Sequence, residues 1–146
     1  MQPSGRQPVA MRRLPDWRSR LDAFINEVRR QPFAWGTFDC AGLAGGAVEA
    51  VTGTDIAAPF RGYTSPQGAL AAVVRAGFTD LGDLVASLLP EIHPSQATVG
   101  DLAAVRTDGQ LGWSIGVVNG ERVFVLTPDG LWTVDLLTAE RAFKVG

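Results

Sequence analysis

Residues 31–53 read Gln-Pro-Phe-Ala-Trp-Gly-Thr-Phe-Asp-Cys-Ala-Gly-Leu-Ala-Gly-Gly-Ala-Val-Glu-Ala-Val-Thr-Gly. An aromatic loop with Phe33, Trp35 and Phe38 gives way at Asp39 to a run of small residues. That pattern predicts a helix over 39–51, with Asp39 as its N-cap and Gly53 as its C-terminal stop. Gly42, Gly45 and Gly46 each weaken an isolated helix by about 1 kcal/mol relative to alanine. A helix so poor in intrinsic propensity forms only when buried, its small side chains letting a second layer approach closely. The stretch therefore sets a buried helix at the centre of the fold, with the one cysteine of the chain, Cys40, in its first turn.

Upstream, Trp17, Leu21, Phe24, Ile25 and Val28 recur at three- and four-residue spacing with Arg and Glu between them, the mark of an amphipathic helix that ends before Pro32. Residues 1–15 are rich in Pro, Gly and Arg and lack a hydrophobic period, so they are expected as an extended arm outside the core. Downstream, a loop through Pro59 and Tyr63 leads to expected helices at 65–76 and 80–89. After Pro90 the vocabulary changes to strands: 102–106, 113–118, 122–127, 131–134 and 142–145. Asp108-Gly, Asn119-Gly and Asp129-Gly punctuate them as hairpins. Helices first and an antiparallel meander second spell an α+β fold, a single domain over 16–146 with N-terminal helices packed on a C-terminal sheet.

The 146 residues suffice for one domain with its own core. Hydrophobic residues make up 46% and charged residues 19%, which excludes wholesale disorder. A net charge of −2 and a pI near 5.3 do not suit a polyanion, so nucleic acid is not the expected partner. No run approaches the roughly 18 apolar residues of a membrane span, and the first twenty residues lack the apolar core of a signal peptide. One cysteine excludes an internal disulfide and the usual thiolate zinc sites, so neither metal nor other cofactor is expected.

The acid–base inventory near neutral pH is one thiol and one imidazole, His93. A thiol at a helix N-terminus is where backbone amides and the helix dipole favour the thiolate, so Cys40 is the candidate nucleophile. The alternative is a buried cysteine that fills space between helix and sheet. A thiol nucleophile needs a base held by a third polar group. His93 is the only imidazole, but it sits in the Pro-bounded connector Glu91-Ile-His-Pro-Ser. Phe33, Trp35, Asp39 and Trp113 are candidate groove residues. Asp101, after Gly100, reads as a turn residue that bonds the backbone locally. Arg6, Arg12, Arg13, Arg18 and Arg20 would suit an acidic partner surface or form a solvated face.

Three stretches carry a resemblance: Pro32-Phe-Ala-Trp-Gly-Thr-Phe-Asp-Cys-Ala-Gly-Leu, Val99-Gly-Asp-Leu-Ala-Ala-Val and Ser114-Ile-Gly-Val-Val-Asn-Gly-Glu-Arg-Val. Together they resemble the NlpC/P60 cysteine peptidases, which share a papain-like fold. More closely they resemble a compact family of bacteriophage and prophage proteins of unassigned function encoded among tail genes. The resemblance runs from about residue 12 to the end. It makes Cys40 the nucleophile position and places the general base at the start of the second core strand, in a His-Val-Gly-Ile-like sequence. Ser114 stands at that position here, and a serine hydroxyl cannot take the thiol proton at neutral pH. The third polar position falls near Phe124 to Leu126, which are apolar.

The resemblance thus implies a domain of the phage tail tip, made in the bacterial cytoplasm and carried in the virion tail, with other tail-tip proteins as partners and no turnover. Two alternatives stay open. One is an active peptidase that cuts peptidoglycan peptides during entry, with His93 or a residue of another subunit serving Cys40. The other is a cytoplasmic assembly factor left out of the particle.

Overall fold

Leu21, Ile25 and Val28 fall on one face and are buried, which fixes α1 (Trp17–Val28). The computed structural model describes residues 11–31, 39–58, 63, 65–109 and 111–146, with Cys40 described by its backbone alone. Three further helices follow: α2 (Cys40–Thr52), α3 (Pro66–Arg75) and α4 (Leu81–Leu88). Each begins on a side-chain cap, Asp39 to the Gly42 N–H, Ser65 to the Gly68 N–H and Asp80 to the Asp83 N–H. α2 stops at Gly53, whose φ of 81° only glycine adopts without strain.

The burial that α2 needs comes from both sides. A Cβ at Gly46 would run into the Phe24 ring of α1, and one at Gly45 would lie 2.5 Å from the Ala57 Cβ. Leu43, Ala47, Val48 and Val51 are buried in the same core as the sheet. Arg20 of α1 donates to the Ala50 carbonyl at 2.6 Å, satisfying a backbone acceptor in the last turn of α2.

The strands are β1 (Glu91–Ile92), β2 (Leu102–Arg106), β3 (Trp113–Asn119), β4 (Arg122–Thr127), β5 (Gly130–Asp135) and β6 (Arg141–Phe143). They form one antiparallel sheet in the order β1-β6-β2-β3-β4-β5. The meander holds from β2 to β5, and the last strand returns to pair with β2 instead of extending the far edge. Leu136 and Ala139, in the segment that makes this return, pack on the sheet with Ala103, Val118, Val123 and Val125. The sheet is therefore buried on two faces. Leu102, Ala104, Trp113, Ile115, Val117, Phe124, Leu126 and Phe143 meet the helices, and the alternate residues meet the connectors.

Residues 11–15 do not follow the expectation of an arm outside the core. Met11 packs against the main core, and the Leu14 N–H donates to the Val51 carbonyl at 2.8 Å. Arg13 is drawn in by Asp101, which is 1% exposed. One Asp101 oxygen accepts from Arg13 and from the Val145 N–H, each at 3.0 Å, and the other from the Thr98 N–H at 2.9 Å. Arg13 also donates to the carbonyls of Val145 and Val99 and stacks on Trp17, 4.3 Å from the ring centre. The local turn expected of Asp101 is present, through Thr98, but the same carboxylate also ties the chain's first described residues to the segment just beyond its last strand. Arg13 and Arg20 are thus both engaged in hydrogen bonds within the chain.

At the other end of the sheet, Arg141 bridges β6 to Glu91 of β1 and Asp83 of α4 at 2.8 and 3.0 Å. The Arg141 hydrogen bond holds the Glu91 carboxyl below the usual range against the opposing effect of burial, and the same bond raises the guanidinium pKa. Substitution of the buried carboxylate tests the clasp most directly. Asp101→Ala leaves Arg13 and the Val145 N–H without their acceptor, and urea unfolding is expected to show a loss of about 3–5 kcal/mol. Arg122→Ala, at the exposed pair with Asp135, is expected to cost under about 1 kcal/mol.

Candidate functional site

The first turn of α2 is built around Asp39. Its backbone is extended, its side chain is 2% exposed, and both oxygens accept hydrogen bonds. Gly42 N–H donates to one at 2.9 Å, and the Tyr63 hydroxyl donates to the other at 2.5 Å. Cys40 follows as the first residue of a 13-residue helix, at the positive end of the helix dipole.

β3 and β4 form the floor under α2, and their pleat decides what chemistry they present. Trp113, Ile115 and Val117 of β3 and Phe124 and Leu126 of β4 share the helix-facing core. None of them can exchange a proton near neutral pH. Ser114 alternates with these residues and lies on the opposite face, opposite Val105 and in line with Gly116 and Val118. The flat backbone at Gly116 belongs to that outer face too, where a Cβ would meet the Phe124 carbonyl and the Val123 and Val125 side chains. The alternation of Ile115 and Val117 was the signal in the sequence that separates Ser114 from the helix side.

His93 is exposed and follows β1 at the sheet edge. It caps the short turn Pro94–Gln96: its Nδ1 accepts from the Ser95 N–H at 3.1 Å and lies 2.7 Å from the Ser95 Oγ. β6 and β2 separate β1 from β3. Three strand spacings of about 4.8 Å place β1 roughly 14 Å from β3, on which α2 packs. Among the described residues, the hydrogen bonds of the His93 ring run to Ser95 of its own turn.

Trp113 is 5% exposed and is not the wall of an open groove. The Arg106 guanidinium lies 4.0 Å from its ring centre, and Gly82 of α4 backs it so closely that a Cβ there would sit 2.8 Å from the indole nitrogen. Among the described residues that buried N–H finds no acceptor. Phe33 and Trp35 lie outside the described residues. Beside the first turns of α2, an apolar cavity of about 50 Å³ reaches from Ala41 and Tyr63 down to Leu102 and Ile115. Its lining offers a polar substrate almost no hydrogen-bonding partner. Tyr63 is the site residue that sequence reasoning missed, because it stands in a connector with no periodic signal.

Among the described residues, no cluster of His, Cys, Asp and Glu could hold a metal ion, and no helix is long and apolar enough to cross a membrane.

Two comparisons with known proteins bear on this arrangement. Residues 12–145 match a family described as a domain of unknown function (DUF6950). Among solved structures, the crystal structure of the NlpC/p60 domain of the peptidoglycan hydrolase SagA aligns over 86% of this chain and 97% of its own, with a TM-score of 0.52 and 19% identity. That likeness shows the NlpC/P60-like fold. No curated protein sequence matches the chain.

The Asp39–Tyr63 bond yields a prediction for the first turn of α2. Tyr63→Phe should lower stability by about 1.5–3 kcal/mol, the worth of a hydrogen bond to a charged group. Asp39→Ala should cost more, because it also removes the cap at Gly42. Urea unfolding of the two variants side by side checks the order.

Proposed function

The chain belongs to the DUF6950 family, and we propose that it is an NlpC/P60-like domain without turnover, serving as a structural or assembly part of a phage tail tip. The observation that carries this reading is the apolar floor under α2. The strand face that a thiol at the helix start would need for its base carries Trp113, Ile115, Val117, Phe124 and Leu126. The single imidazole of the chain caps a turn at the sheet edge. Loss of a general base removes about 10²–10⁴ in rate. The phage setting rests on the resemblance of three stretches, 32–43, 99–105 and 114–123, to phage and prophage tail-gene products. On this reading other tail-tip proteins are the partners and the virion tail is the location.

A second reading, an active cysteine peptidase acting on peptidoglycan peptides, draws on one observation: Cys40 opens a long helix, where a nucleophilic thiol would stand. It requires a base from another chain or a rearrangement that brings His93 across the sheet.

Two measurements separate the readings. Purified chain incubated with peptidoglycan is expected to release no more soluble muropeptide than Cys40→Ala does; release by the unmodified chain alone overturns the non-catalytic reading. Mass spectrometry of washed phage particles is expected to find the protein, and its absence overturns the virion assignment.

A further inference from the structure

We infer that Arg122 closes the open edge of the sheet against pairing with a second copy of this chain. The inference goes beyond the proposed function and stands without it. β5 ends the strand order and pairs on one side only, with β4. Its sequence, Gly-Leu-Trp-Thr-Val-Asp, has neither proline nor lysine, residues that commonly blunt such an edge, and Trp132 on it is 68% exposed. The ladder fixes which backbone groups face outward. Leu136 N–H donates to the Glu121 carbonyl, so Gly130, Trp132 and Val134 turn their backbone groups to β4, and Leu131, Thr133 and Asp135 turn theirs to the open side. Two of those three outward carbonyls are taken by side chains. The Asp135 carbonyl accepts from the Thr138 hydroxyl at 2.6 Å, within the turn that follows β5. The Thr133 carbonyl accepts from Arg122 at 2.8 Å. Arg122 stands on β4, so its guanidinium lies across β5 to reach that carbonyl. Thr133 Oγ1 at 3.0 Å and the Asp135 carboxylate at 2.9 Å hold it there.

The position of Arg122 decides what it excludes. Two antiparallel β5 strands pair all three outward residues in one register alone, with Thr133 facing its own counterpart on a two-fold axis and Leu131 facing Asp135. On that axis the ladder needs each Thr133 carbonyl as an acceptor, and both are already bonded to Arg122. Each copy would also bring its guanidinium to the axis, where like charges on facing residues repel. Without Arg122, the same register lets each facing pair exchange both of its N–H···O bonds. It also sets Trp132 beside Val134 of the other copy, an aromatic and β-branched pair.

The test is the mass of the full chain by sedimentation up to about 1 mM, with backbone hydrogen exchange followed at residues 131–135. Exchange at Leu131, Thr133 and Asp135 of the unmodified chain is expected to ignore concentration. Arg122→Ala loses an exposed ion pair and is expected to fold. It should reach twice the mass of the unmodified chain, with those three amides slowed about tenfold or more. Adding Thr133→Pro should return the double variant to the original mass, because the Thr133 N–H points away from β4 and proline there removes only the donor of the new ladder. The proposal is overturned if Arg122→Ala keeps the mass of the unmodified chain, if it associates without slowing those amides, or if Thr133→Pro leaves the association intact. Slowing of the same amides with concentration in the unmodified chain also overturns it.

Discussion

The approach of α1 to α2 at Gly46 is the constraint on which the rest of the structure depends. The Phe24 ring occupies the space a side chain would take there, and Ala57 does the same at Gly45. A helix that presents almost no side chain to its neighbours gains little from intrinsic propensity and is held by burial between α1, the following connector and β3. Two things follow from that position. Cys40 is fixed at the start of a buried helix, and the sheet must present an apolar face to α2. The Asp101 clasp secures the opposite end of this arrangement by joining Arg13, ahead of α1, to Val145, just beyond β6.

That apolar face has a chemical consequence. A strand offers its side chains to alternate faces, so what β3 presents to α2 is the row of Trp113, Ile115 and Val117, not the row of Ser114. The helix-facing row is filled by packing residues, and so is its neighbour on β4. The fold is NlpC/P60-like, and the face of β3 and β4 under α2 is filled with core. Asp39 is likewise used for structure, its two oxygens fixing Gly42 and Tyr63.

Much of this is legible in the sequence. Asp39 and Gly53 marked the ends of α2, and Asn119-Gly and Asp129-Gly marked the hairpins between β3, β4 and β5. What escaped were features with no local signal. β1 is two residues long, too short to show a period, and β6 returns to β2 over five residues that carry no turn dipeptide. Arg13 sits in a Pro- and Arg-rich segment that reads as a solvated arm until Asp101, 88 residues later, provides a buried acceptor. Tyr63 is invisible for the same reason, since its partner Asp39 is 24 residues away. The Ser114 position was legible in part. Its identity was plain, whereas the face it occupies follows only when the β3 alternation is counted from Ile115.

On the proposed non-catalytic reading, Cys40 has no imidazole partner. The rate of Cys40 alkylation against pH, measured for the chain and for His93→Ala, tests it most directly. The account predicts superimposable profiles, because His93 is held at the sheet edge by Ser95. An apparent thiol pKa pulled several units below the ordinary value of about 8.5, and restored by His93→Ala, would establish a Cys–His pair and contradict it.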